Sequence, residues 1–336
     1  MLFLGGADGN AELRSASFKG LLRYWWRVLY GARYINAGEE SLKAKEAEIF
    51  GTSGAKGSDF GQSQVHISID NISIRIGQFD NKNGAKKTVF HNSKEMKINV
   101  LDYLAYGHHE YKKEKRMNEY IHTVIQANSS FNIKITALKK YSEEVFQAFL
   151  FMIEYGGVGS KSRNGFGSMK IIENKSNHKL NPALWHIHKN HVGFSALSSE
   201  SRLYIEKNST KKSWEEALSE LAKVYMEIRE RLDRKHIYNL RGCLARPIIT
   251  RDRSVPDHVK KGRHPKCTLL SVSEKETGLY GKILILPVQF TKLYPDESNG
   301  SSEYRNMIKI LYDTLDKNKL WQNNTASILG GQKNGR

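Results

Sequence analysis

The stretch GGVGSKSRNGFG at 156–167 gathers the residues best suited to chemistry with an anion. Gly157 and Gly159 free the backbone to bend and to approach another chain closely. Ser160 and Ser162 supply hydroxyls, Lys161 and Arg163 supply positive charge, and the N–H groups of such a loop suit phosphate oxygens. Phe166 offers a ring on which a base can stack. The spacing is not that of a Walker loop, which needs Gly-Lys-Ser/Thr at a strand-to-helix turn. Nor is it a dinucleotide fingerprint, because the loop follows a helical pattern instead of opening one.

A second set of cations lies near the start. Arg14 precedes Lys19, Arg23 and Arg27, which recur at i, i+4 and i+8 and so line one edge of a helix. Like charges at that spacing cost a helix a few tenths of a kcal/mol each. No carboxylate close by in sequence answers them, and an external phosphate backbone would. A third set, Arg241, Arg246, Arg263 and Lys266, sits in a stretch punctuated by glycine and proline. It either extends a groove that tracks a single strand or is a solvated basic loop.

Catalysis asks for more than cations. A metal-independent nuclease needs an acid and a base around a ribose hydroxyl, yet His91, His122 and His264 have no evident partner in sequence. His186 and His188 share a strand face without a nearby cysteine or acid, so they make a poor metal set. Asp8 and Glu12 offer too little for a metal-dependent cut, and Asp8 beside Gly9 reads as a turn residue. No catalytic residue, metal or cofactor is assigned, and binding is favoured. A metal-independent endoribonuclease, which the family resemblance given below would make a guide-RNA-processing one, and a general single-stranded RNA binder stand as the alternatives.

The elements that position these groups follow from periodicity. Phe18, Leu22, Trp25, Trp26 and Leu29 form an apolar stripe on a helix from Ser17, its expected N-cap, to about Tyr30. The stripe assigns both tryptophans to the core. Alternation at 65–69 and 72–76 predicts two strands turning at Asp70-Asn71, or one bulged strand. Residues 77–118 read as an irregular insertion. A strand at 131–135, a helix capped by Ser142 and ending at Gly156-Gly157, and a strand at Ser168–Ile172 complete a first unit. Its missing first strand is either very short, within residues 1–4, or absent because the chain lacks its beginning.

The second half repeats the plan. A strand is expected near 192–197, a helix over Ser213–Arg234, strands near 268–272 and 282–288, and a helix near Ser302–Leu315. The fold class is therefore α+β: two tandem ferredoxin-like, RRM-like βαββαβ domains, 1–178 with an insertion at about 77–130, and 179–336.

Composition sets the outer limits. Lys plus Arg number 53 against 35 Asp plus Glu, a formal +18 that implies a polyanionic partner. No apolar run is long enough to span a membrane, so an anionic lipid surface is the weaker reading. Met1–Gly6 has neither the length nor the basic front of a signal peptide. Two cysteines, Cys243 and Cys267, form no Cys-x-x-Cys pair and suit a reducing, cytoplasmic setting.

The start GGADGNAELRSASFKGLLRYWWR together with the loop GGVGSKSRNGFGS resembles the RAMP superfamily of CRISPR proteins. The Arg14–Arg27 pattern, the SWEEALSELAKVYMEIR helix and the HPKCTLLSV strand are most similar to the family of first subunits of Cmr-type (type III-B) complexes. That resemblance implies two packed ferredoxin-like domains and a position at the end of a ribonucleoprotein that holds the 3′ part of its guide RNA. The implied partners are guide RNA, target RNA and the other Cmr subunits. It also implies RNA-facing roles for Arg14, Lys19, Arg23, Arg27, Lys161 and Arg163. Residues 77–130 carry none of it.

Overall fold

The computed structural model describes residues 1–6, 8–37, 39–52, 61–91, 94–115, 117–190, 192–207, 210–232, 238–246, 248, 266–288 and 300–330. Its helices are α1 (Ser15–Tyr30), α2 (Glu39–Phe50), α3 (Val100–Leu104), α4 (Lys139–Tyr155), α5 (Trp214–Leu232), α6 (Tyr238–Leu244) and α7 (Gly300–Lys317). The chain divides into two compact units, Met1–Asn83 with Leu104–His188, and Gly84–Tyr103 with Lys189–Arg336. This differs from the division expected at 178/179. The junction lies ten residues further on, and part of the expected insertion belongs to the second unit.

In the first unit α1 and α4 pack together, α1 also against the strand Val65–Ser73 and α4 against its antiparallel partner Ser130–Ala137. The apolar stripe does what its spacing predicts: Phe18, Leu22, Trp25, Trp26 and Leu29 are all buried, and Trp25 meets Phe151 of α4 with ring centroids 5.4 Å apart. The two helix starts fall earlier than predicted. Arg14, extended and without a side-chain cap, precedes α1, while the Ser142 hydroxyl donates to the Lys139 carbonyl inside the first turn of α4. Neither serine is needed as a cap, because the apolar periodicity carries each helix past it.

Residues 65–73 form one bulged strand, with the irregularity between Asp70 and Ser73. The short first strand is present in outline. Leu2 exchanges backbone hydrogen bonds with Ile125 (2.8 and 3.1 Å), and Leu2, Phe3 and Leu4 are buried. No strand forms at Ser168–Ile172, where Ile171 and Ile172 are exposed and lack a sheet edge to cover them. The region expected to be irregular contains hairpins, His109–Lys112 with Met117–Tyr120 in the first unit and Lys86–His91 with Lys94–Asn99 in the second. Their strands are rich in Lys and Glu and half-exposed, so the apolar alternation that identifies a strand is faint.

The second unit holds a four-stranded antiparallel sheet in the order Thr268–Lys275, Gly278–Ile285, Arg202–Glu206, Trp321–Asn323. Along the chain these strands, with α5 and α7, run strand, helix, strand, strand, helix, strand, and α6 lies between α5 and the second strand. The first strand lies at 202–206 instead of 192–197. Val192, Ala196 and Leu197 are buried, but as irregular chain. Gly281 lies under α5, where a Cβ would stand 2.7 Å from Leu221 and 2.9 Å from Trp321.

Candidate nucleic-acid interface

The helix edge is not the free row of cations its sequence suggests. α2 brings Glu46, only 4% exposed, between Arg23 and Arg27. Arg27 Nε donates to Glu46 Oε2 at 2.8 Å and Arg23 Nε to Glu46 Oε1, and a second Arg23 nitrogen reaches the Gly51 carbonyl at 3.2 Å. Burial would raise the Glu46 carboxyl, but hydrogen bonds and charge from Arg27 and Arg23 outweigh it and hold the group below the usual carboxylate range. The phosphate expected to neutralise these two arginines therefore has an internal substitute. Helix α2 was not predicted. Its sequence EESLKAKEAEIF has only a weak apolar stripe, and Glu46 lies 19 residues beyond Arg27.

Arg14 is exposed and donates to the Gly5 carbonyl at 2.8 Å, with the Glu12 carboxylate 3.6 Å away. Lys19 makes no ion pair among the described residues, and partial burial lowers its basicity. Of the four cations on this stretch, Lys19 is the one without a carboxylate among the described residues.

The glycine-rich loop is built on the N-terminal segment. Ser160 N–H donates to the Phe3 carbonyl (3.0 Å), Gly167 N–H to the Met1 carbonyl (2.7 Å), and Val158 N–H to the Gly167 carbonyl (3.0 Å). At Gly167, with φ +75°, a Cβ would stand 1.8 Å from the Val158 carbonyl oxygen, and at Gly159, with φ +104°, one would stand 2.7 Å from that of Phe3. The glycines thus allow the loop to approach its own chain. Gly157 has the same role against the Phe166 carbonyl (2.8 Å).

Phe166 is 2% exposed and packs edge-on against Phe3 (4.9 Å) and Phe79 (5.8 Å). It is a core residue with no face for a base, which corrects the stacking role expected of it. What the loop presents outward is Ser160, exposed, with Lys161, Ser162 and Arg163 half-buried behind it. Arg163 lies over the Tyr24 ring of α1 at 5.1 Å. Lys161 makes no ion pair among the described residues, and burial lowers its basicity.

One neighbour of the loop was missed. The chain before the His109–Lys112 strand brings His108 to Ser160, with Nε2 and Oγ 2.8 Å apart, and stacks the imidazole on Phe3 at 4.4 Å. Burial, helped by the charges of Lys161, His122 and His109, lowers His108 to a pKa of about 4, so the ring is neutral at pH 7. Sequence offers no signal for this pairing, since His108 and Ser160 are 52 residues apart.

In the second unit Arg246 and Lys266 are 7% and 8% exposed. Arg246 Nε donates to the Gly242 carbonyl at 3.2 Å, and Lys266 lies over the Tyr225 ring at 4.1 Å. Both are buried, contrary to the open groove expected of them. Arg241, on α6, is half-buried. Arg263 lies outside the described residues. The carboxylate oxygens of Asp8 are both taken by Asn10, through its backbone N–H (2.9 Å) and its side-chain amide (2.8 Å). His186 and His188 lie with ring centroids 6.4 Å apart. No helix among the described residues is long and apolar enough to cross a membrane.

Comparison with known proteins bears on the fold and, most directly, on residues 2–170. Residues 2–170 match the family model of the RAMP superfamily. The chain is 29% identical over 177 residues to the CRISPR system Cmr subunit Cmr1-2 of Pyrococcus furiosus, a match covering 51% of this chain and 89% of that one. It is 28% identical over 169 residues to the Cmr1-1 subunit of the same organism, covering 49% of this chain and 42% of the relative, so the match spans less than half of that protein. The crystal structure of Cmr1 from Pyrococcus furiosus in its apo form superimposes with a TM-score of 0.53 at 18% identity, over 93% of this chain and 91% of that one. At that identity the likeness is one of fold, and the shared fold is mixed α and β.

Proposed function

The chain belongs to the RAMP superfamily, and from that premise we propose that it is a non-catalytic, RNA-binding subunit of a Cmr-type (type III-B) CRISPR effector complex acting in antiviral defence. Its partners on this reading are guide RNA, target RNA and the other Cmr subunits, and it holds the 3′ part of the guide or its duplex with target. The second unit is read as a ferredoxin-like domain from its strand and helix order, and the first as a reduced relative of the same plan. The observation that carries the reading is the loop at 156–167. It ends in an exposed Ser160 beside Lys161, a half-buried cation that has no carboxylate among the described residues. A cation held in that way is completed by an anion from outside, and a phosphate backbone supplies one at every nucleotide.

The non-catalytic reading draws support from Asp8, both of whose carboxylate oxygens are committed to Asn10. The test is titration of labelled single-stranded repeat RNA at several salt concentrations, with and without Mg²⁺. Each phosphate neutralised on a single strand contributes a slope of about 0.7 in log K against log salt. Replacing both Lys161 and Arg163 by Ala should therefore flatten the slope by up to about 1.4. An unchanged slope would refute the loop as the interface, and a defined cut in the RNA would refute the scaffold role.

A further inference from the structure

The outer end of the loop holds three groups of complementary character. Ser160 Oγ is exposed and 2.8 Å from His108 Nε2, while its 3.4 Å separation from the Phe3 carbonyl is too long for a strong bond. Lys161 follows directly in sequence, and its Nζ lies 3.7 Å from where a Cβ on Gly107 would stand, next to His108. His108 is itself fixed, by its stack on Phe3 and by its backbone N–H to the Ala105 carbonyl at 3.0 Å. The backbone of Ser160 is fixed too, through the Phe3 carbonyl. The hydroxyl therefore has one orienting partner and one open side.

A phosphate oxygen only accepts hydrogen bonds, and a lone lysine satisfies it. The pairing of a neutral imidazole with a hydroxyl has a different character. If His108 carries its proton on Nε2, that N–H occupies a Ser160 lone pair and the hydroxyl proton is free to be donated. If the proton is on Nδ1, the Ser160 hydroxyl donates to Nε2 and its lone pairs are free to accept. In either tautomer one hydrogen bond remains open toward solvent, and the pair can supply it with either polarity. A ribose 2′-hydroxyl, itself donor and acceptor, matches such a site, and its presence is what separates RNA from DNA.

We propose that Ser160 and Lys161 form a ribose-phosphate seat in which Lys161 takes a backbone phosphate and Ser160 the neighbouring 2′-hydroxyl, with His108 as the positioning residue that aims the serine. The seat discriminates RNA from DNA of the same sequence. It rests on the reading of the chain as an RNA binder and adds which atom of the nucleotide is read.

The experiment compares single-stranded RNA and DNA oligonucleotides of one sequence, binding to the full chain and to three variants at fixed salt. The unaltered protein should prefer RNA. Ser160→Ala should weaken RNA binding by about three- to ten-fold, the range of one neutral hydrogen bond, and leave DNA binding unchanged. His108→Phe, which keeps an aromatic ring on Phe3 but removes the nitrogen, should shift the RNA-to-DNA ratio in the same direction by a smaller factor. Lys161→Ala should weaken both polymers together. Equal losses for RNA and DNA on Ser160→Ala, or an unaltered protein that binds both equally well, would overturn the seat while leaving RNA binding intact. An unaltered protein that binds neither would overturn the proposed function itself.

Discussion

Glu46→Gln tests how the basic edge of α1 is held. The substitution keeps size and one oxygen acceptor but removes the charge that answers Arg23 and Arg27. Breaking a buried ion pair by removing one partner costs about 3–5 kcal/mol, because the remaining charge is stranded. Here the arginine side chains are 38% and 34% exposed, so water relieves much of that charge. Scaling for the exposure gives a loss of about 2 kcal/mol. For a unit of this size that corresponds to a fall of about 4–8 °C in melting temperature. The assay is a thermal melt followed by circular dichroism, repeated for Arg27→Gln and for the double variant. Because Arg27 and Glu46 are in contact, the two losses should not add, with a coupling of about 1 kcal/mol or more.

The same pair gives a pH signature with a defined sign. The folded-state Glu46 carboxyl lies below its unfolded value, so its contribution is complete above the ordinary carboxylate range and lost as pH falls through the lower, folded value. Glu46→Gln should remove that acid-dependent component. Additive losses in the cycle, or a melting temperature that does not move, would refute the assignment of Arg23 and Arg27 to the fold and return them to the candidate RNA surface.

Two further perturbations act on the loop and its support. Gly167→Ala places a methyl 1.8 Å from the Val158 carbonyl oxygen at φ +75° and should cost about 2 kcal/mol or more; a melt unchanged within error would show that the loop does not close on itself as described. His108 is held neutral with a pKa lowered from 6.5 to about 4, so the unfolded chain takes up a proton in that window that the folded chain refuses. Stability should be complete above pH 6.5 and decline toward pH 4, and His108→Phe should flatten that decline in urea titrations at pH 7, 6, 5 and 4.5, whereas an identical decline in the variant would contradict the neutral, half-buried imidazole.

What the sequence made legible was periodic. The stripe Phe18 to Leu29 predicted both the helix and the burial of Trp25 and Trp26, and α5 and α7 begin and end within two residues of their expected bounds. Three kinds of information were not periodic and were missed. Strands such as Lys86–His91 and Lys94–Asn99 are charged on the exposed face and lack the apolar alternation that marks a strand. Glu46 meets Arg27 across a helix boundary, and His108 meets Ser160 across 52 residues, so both contacts come from tertiary packing. Phe166 was misread because its neighbours are glycines and cations, although its ring faces Phe3 and Phe79.

These contacts narrow the candidate interface. In the sequence, three cations along α1 with no carboxylate near them stand beside the glycine-rich loop as a second case for a polyanion. Glu46 removes two of them from that account, since a cation already neutralised inside the fold gains little from a phosphate outside it. Burial of Arg246 and Lys266 removes two more. Of the cations that remain, Lys19 and Lys161 each have their basicity lowered by partial burial and make no ion pair among the described residues. Holding an ammonium in that state works against folding, because it loses hydration without gaining a counter-charge. Local choices that oppose stability without an internal return are the ones expected at functional sites. By that criterion Lys161, beside an exposed hydroxyl and a half-buried imidazole, is a stronger candidate for the proposed seat than the arginine row of α1.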